Sequence, residues 1–375
     1  MAKRASVYAG WQHFADGGTP RPPGLTLPVQ TTGEPPQPAS PIRIHWYFLH
    51  TPRRHAVKTL REGESVLRFA KCVRPATPQE AYELLQRHAG ARIVGGGLWR
   101  RLSNRSIPCA VDLSACGLDS IDEGDDAFVI GAMCSLRTLE RHEDFNDATC
   151  HIVERAVRDI VGVQFRDLAT VGGSLYGRFG FSDVLCSLLA LDSEVKFTGA
   201  GRMSMSALCD AGYPRDVLER VVVHRRPYKA AYACLRRQAT DFPVLNVSAA
   251  WWDDAWHVAV GARPQRAQLL VGAQTGVVSR KPSRDELAAL VAAVRALPFG
   301  SNYLAGAAYR RHLAGVLAVR AVCEAAGRPV PQPFENRFAA EACEFAAVSG
   351  ESASQASALK QSVSAAPSLD QNVEA

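Results

Sequence analysis

The sequence lacks two signatures by which common cofactor sites are recognised. None of its ten cysteines forms a Cys-x-x-Cys pair, the close spacing that zinc and iron–sulfur sites usually need. The G-x-G-x-x-G fingerprint of dinucleotide-binding Rossmann domains is also absent. A metal cluster held by this chain alone is therefore not expected, and a Rossmann domain is the weaker interpretation of its glycine-rich segments.

Long apolar segments are missing as well. No run approaches the roughly 20 apolar residues that a membrane-spanning helix needs, and Met1 to Gly10 has no apolar stretch of the secretory type. Most cysteines stand among apolar neighbours, as small buried residues do, and an oxidising compartment would normally have paired or removed them. We therefore expect buried thiols, no membrane span and a cytoplasmic protein.

A dense basic stripe is the third absence. The formal net charge of +6 is uneven, because residues 1–70 hold nine Lys or Arg against four Asp or Glu, whereas residues 336–375 hold two against five. The excess positive charge is thus concentrated at one end of the chain and not along one element. The sequence does not predict a nucleic-acid-binding protein.

The pattern along the chain predicts four segments. Residues 1–70 are rich in proline and are expected to form a flexible extension, whose apolar run 44–49 either contacts a partner or covers the first domain. Residues 71–226 alternate short strands and helices, beginning with a helix that Thr77 caps. Residues 227–335 contain longer strands of an antiparallel sheet and then two helices. The Ala- and Ser-rich tail, 336–375, is expected to be disordered.

Two glycine runs stand out within the second segment. Gly95–Gly97 follow the apolar strand 92–94, and Gly172–Gly173 follow the apolar residues 168–171, which we interpret as a short strand. Glycine adopts positive φ at little cost, so such turns expose main-chain N–H groups that suit an anion. Each run alone is more often a plain turn, but together they predict two turns that face each other across a diphosphate.

The residues around these runs resemble a known family, the FAD-binding subunits of molybdenum hydroxylases of the xanthine dehydrogenase and carbon monoxide dehydrogenase type. The resemblance extends from about Cys72 to Val322 and is carried by the segments 92–97, 111–114, 130–132, 165–173, 183–192, 246–247 and 309–313. It implies an α+β protein in which 71–226 form a two-subdomain FAD-binding domain of the PCMH/vanillyl-alcohol-oxidase type. Residues 227–335 would then form the small C-terminal domain of antiparallel sheet plus helices.

The resemblance also implies a site. The two turns would bind the FAD pyrophosphate through main-chain N–H groups, Thr170 and Ser174 would add hydroxyls, and Asp183 would accept hydrogen bonds from sugar hydroxyls. No catalytic acid or base and no metal ligand are implied. The residues expected around the cofactor are Val94, Gly95, Gly96, Gly97, Leu98, Trp99, Thr170, Val171, Gly172, Gly173, Ser174, Arg178 and Asp183.

Some positions depart from the family pattern. Leu98 and Trp99 stand where a Thr-Asp pair is common, Tyr176 to Phe179 replace smaller residues, and Ala233 stands where a lysine is often found. Arg178 is expected either to pair with phosphate or to be an ordinary solvated or ion-paired arginine. These changes keep FAD binding as the expectation and leave the reaction partner open.

The implied function is electron transfer. The chain would take electrons from an iron–sulfur subunit of a complex that also holds a molybdopterin subunit, and would pass them through FAD to NAD, a quinone or oxygen. A second hypothesis is a degenerate flavin-fold scaffold without FAD, motivated by Leu98, Trp99 and Tyr176. A self-contained flavin oxidase ranks last, because no substrate domain with a catalytic His or Tyr is recognisable.

Overall fold

The computed structural model describes residues 67–98, 100–102, 106–212 and 215–331. The predictions for residues 1–66, for Trp99 and for the tail 336–375 therefore lie outside the described residues.

The described residues contain short strands and helices in alternation. The strands are β1 (Arg68–Phe69), β2 (Cys72–Val73), β3 (Ala91–Val94), β4 (Ser106–Ile107), β5 (Cys109–Asp112), β6 (Ile121–Glu123), β7 (Ala127–Gly131), β8 (Ser193–Phe197), β9 (Gly201–Ser204), β10 (Leu218–His224), β11 (Lys229–Arg236), β12 (Pro243–Trp252), β13 (Ala255–Gly261) and β14 (Gln268–Val271). The helices are α1 (Pro78–Arg87), α2 (Leu136–Arg141), α3 (Glu143–Ala148), α4 (Ile152–Val157), α5 (Val163–Leu168), α6 (Val171–Tyr176), α7 (Asp183–Ala190), α8 (Met205–Asp210), α9 (Arg284–Arg295) and α10 (Ala307–Ala325).

A small parallel sheet opens the described fold. Its strand order is β2-β5-β3, with β5 parallel to both neighbours. Helix α1 connects β2 to β3, and it begins as predicted, since the Thr77 side chain accepts a hydrogen bond from the amide of Glu80. Ala81 and Leu85 bury the inner face of this helix. The first glycine turn begins at the carboxyl end of β3.

A five-stranded antiparallel sheet of order β6-β7-β10-β8-β9 forms the second layer. Helices α2 to α7 lie between β7 and β8 in the chain, and every residue of α7 is buried. A helix that is apolar on all sides is stable only inside a protein. Helix α7 is therefore the centre of this layer and contacts both β12 and β13 as well.

The C-terminal unit is an antiparallel sheet in chain order, β11-β12-β13-β14. Helix α10 packs on β11 and β12, and α9 packs against α10. Asp253 and Asp254 form the tight turn between β12 and β13, each with positive φ. Tyr228 and Tyr232 of this unit pack into the same core cluster as α7. The α+β class predicted from the sequence is confirmed, and the exact domain bounds stay predictions.

The structure differs from the sequence-based interpretation around the second glycine run. Residues 163–168 and 171–176 form helices α5 and α6, although 168–171 had the pattern of a short strand. Apolar runs of four residues fit a strand or a buried helix equally well, so periodicity does not separate them. Tertiary packing decides in favour of short helices here.

Candidate cofactor-binding site

The first glycine turn lies directly after β3 and has the conformation that the sequence predicts. Gly96 and Gly97 have φ of +61° and +69°, a region that residues with a side chain rarely adopt. The amide of Gly97 donates a hydrogen bond of 2.7 Å to the carbonyl of Gly95, which closes the turn. Within the described part of the chain, no residue accepts a hydrogen bond from the amides of Gly95 and Gly96.

The second glycine run is not a loop, which corrects the sequence-based prediction. Gly172 and Gly173 belong to the first turn of α6, whose N-cap is Thr170, and neither has positive φ. A Cβ on Gly172 would lie 2.8 Å from both the Cβ and the carbonyl oxygen of Ala132. Glycine is required at this position because α6 packs against the main chain, and not because of a left-handed turn.

The two glycine segments nevertheless lie against each other. A Cβ on Gly96 would overlap the carbonyl oxygen of Leu168, and a Cβ on Gly95 would lie 3.2 Å from Oγ1 of Thr170. The corresponding atom on Gly173 would lie 4.0 Å from the carbonyl oxygen of Gly95. The structure therefore brings together the two segments that the sequence singled out, at the carboxyl end of β3.

The hydrogen bonds of the second segment are internal. The amide of Gly172 donates to the carbonyl of Ala132 at 2.8 Å, and the amide of Gly173 donates to Oγ1 of Thr170 at 3.1 Å. Oγ of Ser174 donates to the carbonyl of Thr170 at 3.0 Å. Amides that already have acceptors are poor donors to a ligand, so amides without an internal acceptor among the described residues are found in the first turn and not at Gly172 and Gly173.

The apolar members of the expected site have mixed exposure. Val171 is fully buried and Leu98 nearly so, both in the core cluster that also contains α7, whereas Val94 is half-buried at the end of β3. At the position of Leu98, where the family commonly has a polar residue, this chain therefore has an apolar side chain that packs in the core. Trp99, beside it, is outside the described residues.

Asp183 has partners that the sequence did not predict. This carboxylate is 4% exposed, and its Oδ1 accepts hydrogen bonds from the hydroxyl of Tyr232 and, at 2.7 Å, from Nδ2 of Asn246. Its Oδ2 accepts from Arg236 at 2.8 Å. Protein groups therefore surround the carboxylate that was expected to bind a sugar hydroxyl.

The protonation states of this cluster follow from burial and charge. Burial raises the pKa of Tyr232 well above its ordinary value, so the phenol stays a hydrogen-bond donor. Burial alone would lower the pKa of Arg236, but the neighbouring Asp183 raises it above the ordinary value. The cluster is thus a neutral phenol and a buried ion pair. Burial also raises the pKa of the adjacent Cys186 thiol to about 12, so this cysteine is protonated and unreactive.

Arg178 is buried and bonds to main-chain carbonyls. It has φ of +44° and is 2% exposed, and its Nη1 donates to the carbonyls of Ala211 and Gly212 at 3.3 and 2.9 Å. Through these bonds the guanidinium holds the end of α8 against the segment that follows α6. A buried residue held at positive φ is usual where the surrounding structure dictates the backbone.

Sequence reasoning missed Tyr232, Arg236 and Ser182, which surround or precede Asp183. Asn246 was noted only as part of the resemblance. The pair Ser182-Asp183 did carry a signal, because serine before an apolar run is a usual N-cap, and Ser182 does cap α7. The partners on β11 and β12 are distant in the chain and had no such signal.

Other kinds of site are not seen among the described residues. No group of His, Cys, Asp and Glu side chains there is arranged to hold a metal ion, and the cysteines of that part are free thiols. No helix in the described part is both long and apolar enough to span a membrane.

The comparisons with known proteins fit this geometry. Residues 67–219 match the family model described as the FAD binding domain in molybdopterin dehydrogenase. The chain is 27% identical over 266 residues to the uncharacterized protein YgfM of Escherichia coli K12, which covers 68% of this chain and 96% of that protein.

Solved structures show the same fold. A carbon monoxide dehydrogenase from Hydrogenophaga pseudoflava, lacking the Mo-pyranopterin moiety of its molybdenum cofactor, superposes with a TM-score of 0.61 at 21% identity over 69% of this chain and 97% of that chain. Quinoline 2-oxidoreductase from Pseudomonas putida 86 gives a TM-score of 0.61 at 21% identity over 70% and 98%.

The first turn fits the cofactor that the family model implies. The amides of Gly95 and Gly96 lie at the end of a strand and have no acceptor among the described residues, as a diphosphate site requires. The resemblance inferred from the sequence is confirmed. Residues 67–219 are an FAD-binding domain of the molybdopterin dehydrogenase family, the chain has the fold of the FAD-binding subunits of molybdenum hydroxylases, and its cofactor is FAD.

Proposed function

We propose that the chain is the electron-transfer subunit of a molybdenum hydroxylase complex of the xanthine dehydrogenase type. It would receive electrons from iron–sulfur clusters on a partner subunit, serve a molybdopterin subunit of the same complex, and deliver the electrons to an external acceptor. The contact between the two glycine segments at the end of β3 is the observation that supports this proposal most directly.

The chain's own residues would bind and orient the cofactor. The amides of Gly95 and Gly96 would donate to the diphosphate, while Gly97 closes the turn and Val94 with Leu98 anchors it to the core. Thr170, Val171, Gly172, Gly173 and Ser174 would form the opposite wall of the site, with Gly172 keeping α6 close. Trp99 stays a proposed neighbour of the cofactor. Bound FAD supplies the redox chemistry, exchanging electrons singly or in pairs, so no acid or base of the chain has to act.

Cofactor binding is tested on the purified full-length chain. Its visible absorption is recorded, and the flavin-free form is titrated with FAD and with FMN, which lacks the diphosphate. We expect flavin bands and FAD binding at least about tenfold tighter than FMN binding, a difference of about 1.4 kcal/mol. A protein that gains no flavin bands from added FAD would support the scaffold hypothesis in place of this one.

The partners and the acceptor need separate tests. Affinity purification of the tagged chain from its own cells should recover a cysteine-rich iron–sulfur subunit and a large molybdopterin subunit. If NAD is the acceptor, NADH added without oxygen should bleach the flavin absorption, whereas a quinone- or oxygen-linked protein should stay coloured. Fractionation of the same cells tests the proposed cytoplasmic location.

A further inference from the structure

The buried cluster around Asp183 connects two parts of the fold. Asp183 is the first residue of α7, whereas Tyr232 and Arg236 lie on β11 and Asn246 lies on β12. All three partners donate to the one carboxylate. Hydrogen bonds to a charged group are stronger than those between neutral groups. The start of α7 is therefore fastened to the C-terminal sheet.

A continuous series of hydrogen bonds leads from this point to the glycine segments. Oγ of Ser182, the residue before Asp183, accepts from the amide of Leu185 at 3.1 Å and donates to the carbonyl of Ser174 at 2.9 Å. Oγ of Ser174 donates to the carbonyl of Thr170 at 3.0 Å. Oγ1 of Thr170 in turn accepts from the amide of Gly173 at 3.1 Å. Each step joins side chain to main chain without a gap.

The end of this series lies against the first turn. Oγ1 of Thr170 would be 3.2 Å from a Cβ on Gly95 and 3.0 Å from one on Gly173, so the hydroxyl is placed between the two glycine segments. A displacement of α6 would therefore alter the spacing at the carboxyl end of β3. The C-terminal sheet and the cofactor-binding turn are mechanically connected through Ser182.

We propose that Asp183 and Ser182 are positioning residues, which hold the second glycine segment at the correct distance from the first and thereby set the affinity for FAD. Asp183 acts through Ser182 and does not contact the cofactor. This inference rests on the proposed function and replaces the expectation that Asp183 accepts hydrogen bonds from a sugar.

Burial and stoichiometry agree with that role. The carboxylate already accepts three hydrogen bonds, and Asn246 is fully buried beside it. A Cβ at Gly261 would meet Oδ1 of Asn246, so the strand β13 closes the cluster from the other side. Because Asp183 is 4% exposed, a ligand hydroxyl could reach its carboxylate only by moving one of the groups that cover it, which would leave a buried donor unpaired.

Hydrogen exchange of the flavin-free, full-length chain tests the connection without the cofactor. The variant Ser182→Ala removes the bond to Ser174, and its control is Ser204→Ala, which removes the N-cap of α8 by the same kind of bond. We expect the peptide covering 168–176 to exchange about fivefold faster in Ser182→Ala, as the loss of one capping bond predicts. The control should leave this peptide unchanged, and Ser182→Thr, which keeps the hydroxyl, should restore slow exchange.

A second pair of variants tests the same connection by removing a hydrogen bond on the side of the C-terminal sheet. Tyr232→Phe deletes one donor to Asp183, and Tyr228→Phe deletes a buried hydroxyl that bonds His224 and Asp192 instead. Tyr232→Phe should accelerate exchange of 168–176 and weaken FAD binding about fivefold, whereas Tyr228→Phe should do neither. The inference is overturned if, in both pairs, the peptide 168–176 exchanges at the same rate in the variant as in its control. It is also overturned if Tyr232→Phe accelerates this exchange but leaves the affinity for FAD unchanged. If the wild type binds no FAD at all, the proposed function fails, and the exchange data alone decide whether the connection exists.

Discussion

The two glycine segments look alike in sequence and differ in their physical basis. In the first, Gly96 and Gly97 are needed because the backbone turns through positive φ. In the second, Gly172 has ordinary helical geometry and is needed because the main chain of Ala132 lies directly against it. The first segment presents main-chain amides, whereas the amides of the second are used within the fold.

Under the proposed function, the two segments would contribute to cofactor binding in different ways. The first turn is a donor surface whose shape is determined locally, by the backbone of three residues. The second is a wall whose position depends on distant residues, through Ser182 and the cluster at Asp183. Substitutions should therefore affect the two segments in different ways.

Gly96→Ala should give the largest effect. Its Cβ would overlap the carbonyl oxygen of Leu168, and left-handed φ costs an alanine about 1–2 kcal/mol even where space is available. With the displacement of a main-chain group added, we expect a loss of about 3 kcal/mol in the free energy of unfolding and loss of FAD binding. Urea denaturation and FAD titration measure the two effects.

The control for this variant is Gly117→Ala. Gly117 has φ of +63° and no atom within 4 Å of its added Cβ. This variant therefore measures the cost of a left-handed backbone without any steric overlap. We expect it to cost about 1 kcal/mol and to leave FAD binding intact. Equal losses in the two variants would contradict the close contact between the segments.

Gly172→Ala should have an intermediate effect of a different kind. Alanine favours a helix over glycine by about 1 kcal/mol, but the new Cβ would lie 2.8 Å from main-chain atoms of Ala132, and such overpacking costs about 1–3 kcal/mol. We expect a net destabilisation of about 1 kcal/mol by thermal or urea denaturation.

Gly315→Ala is the control variant for Gly172→Ala. Gly315 is also a helical glycine, in α10, but its nearest neighbour is the side-chain Cγ1 of Val291 at 3.0 Å, which can move. We expect a neutral or slightly stabilising effect there. A stabilising Gly172→Ala would show that the main-chain contact with Ala132 is looser than the structure indicates.

Glu286, on a helix of the C-terminal unit, should give the smallest effect and none on FAD. Burial alone would raise the pKa of Glu286, but hydrogen bonds from Ser283, Ser279 and Val278 lower it to about 2. The stability it contributes is thus present above its unfolded pKa near 4.5 and is lost as the pH falls towards 2.

The variant Glu286→Gln should lose about 1 kcal/mol at neutral pH, since the capping box is largely exposed to solvent. The difference between the two proteins should shrink between pH 4.5 and 2, and denaturation across this range measures it. A constant difference over the same range would contradict the hydrogen-bonded carboxylate. The affinity for FAD should be the same in both proteins, because Glu286 bonds neither to the glycine segments nor to the cluster at Asp183.

Much of the fold could be predicted because its signals are local. The Thr77 cap begins a helix as predicted, and the longer strands of the C-terminal unit form an antiparallel sheet. Residues 163–176 could not be assigned in the same way, because short apolar runs fit a strand or a helix and only packing distinguishes them. The roles of Asp183 and Arg178 were equally inaccessible, since their partners lie far away in the chain.

The sequence by itself determined the family, the cofactor and the first turn, because glycines at positive φ are a local requirement of the backbone. Only the tertiary structure decided that the second segment is a helix, that Gly172 serves close packing, and that Asp183 faces Tyr232, Arg236 and Asn246. A buried carboxylate needs hydrogen-bond donors to compensate for its lost hydration. The residues next to it in the sequence do not indicate which distant strands provide those donors.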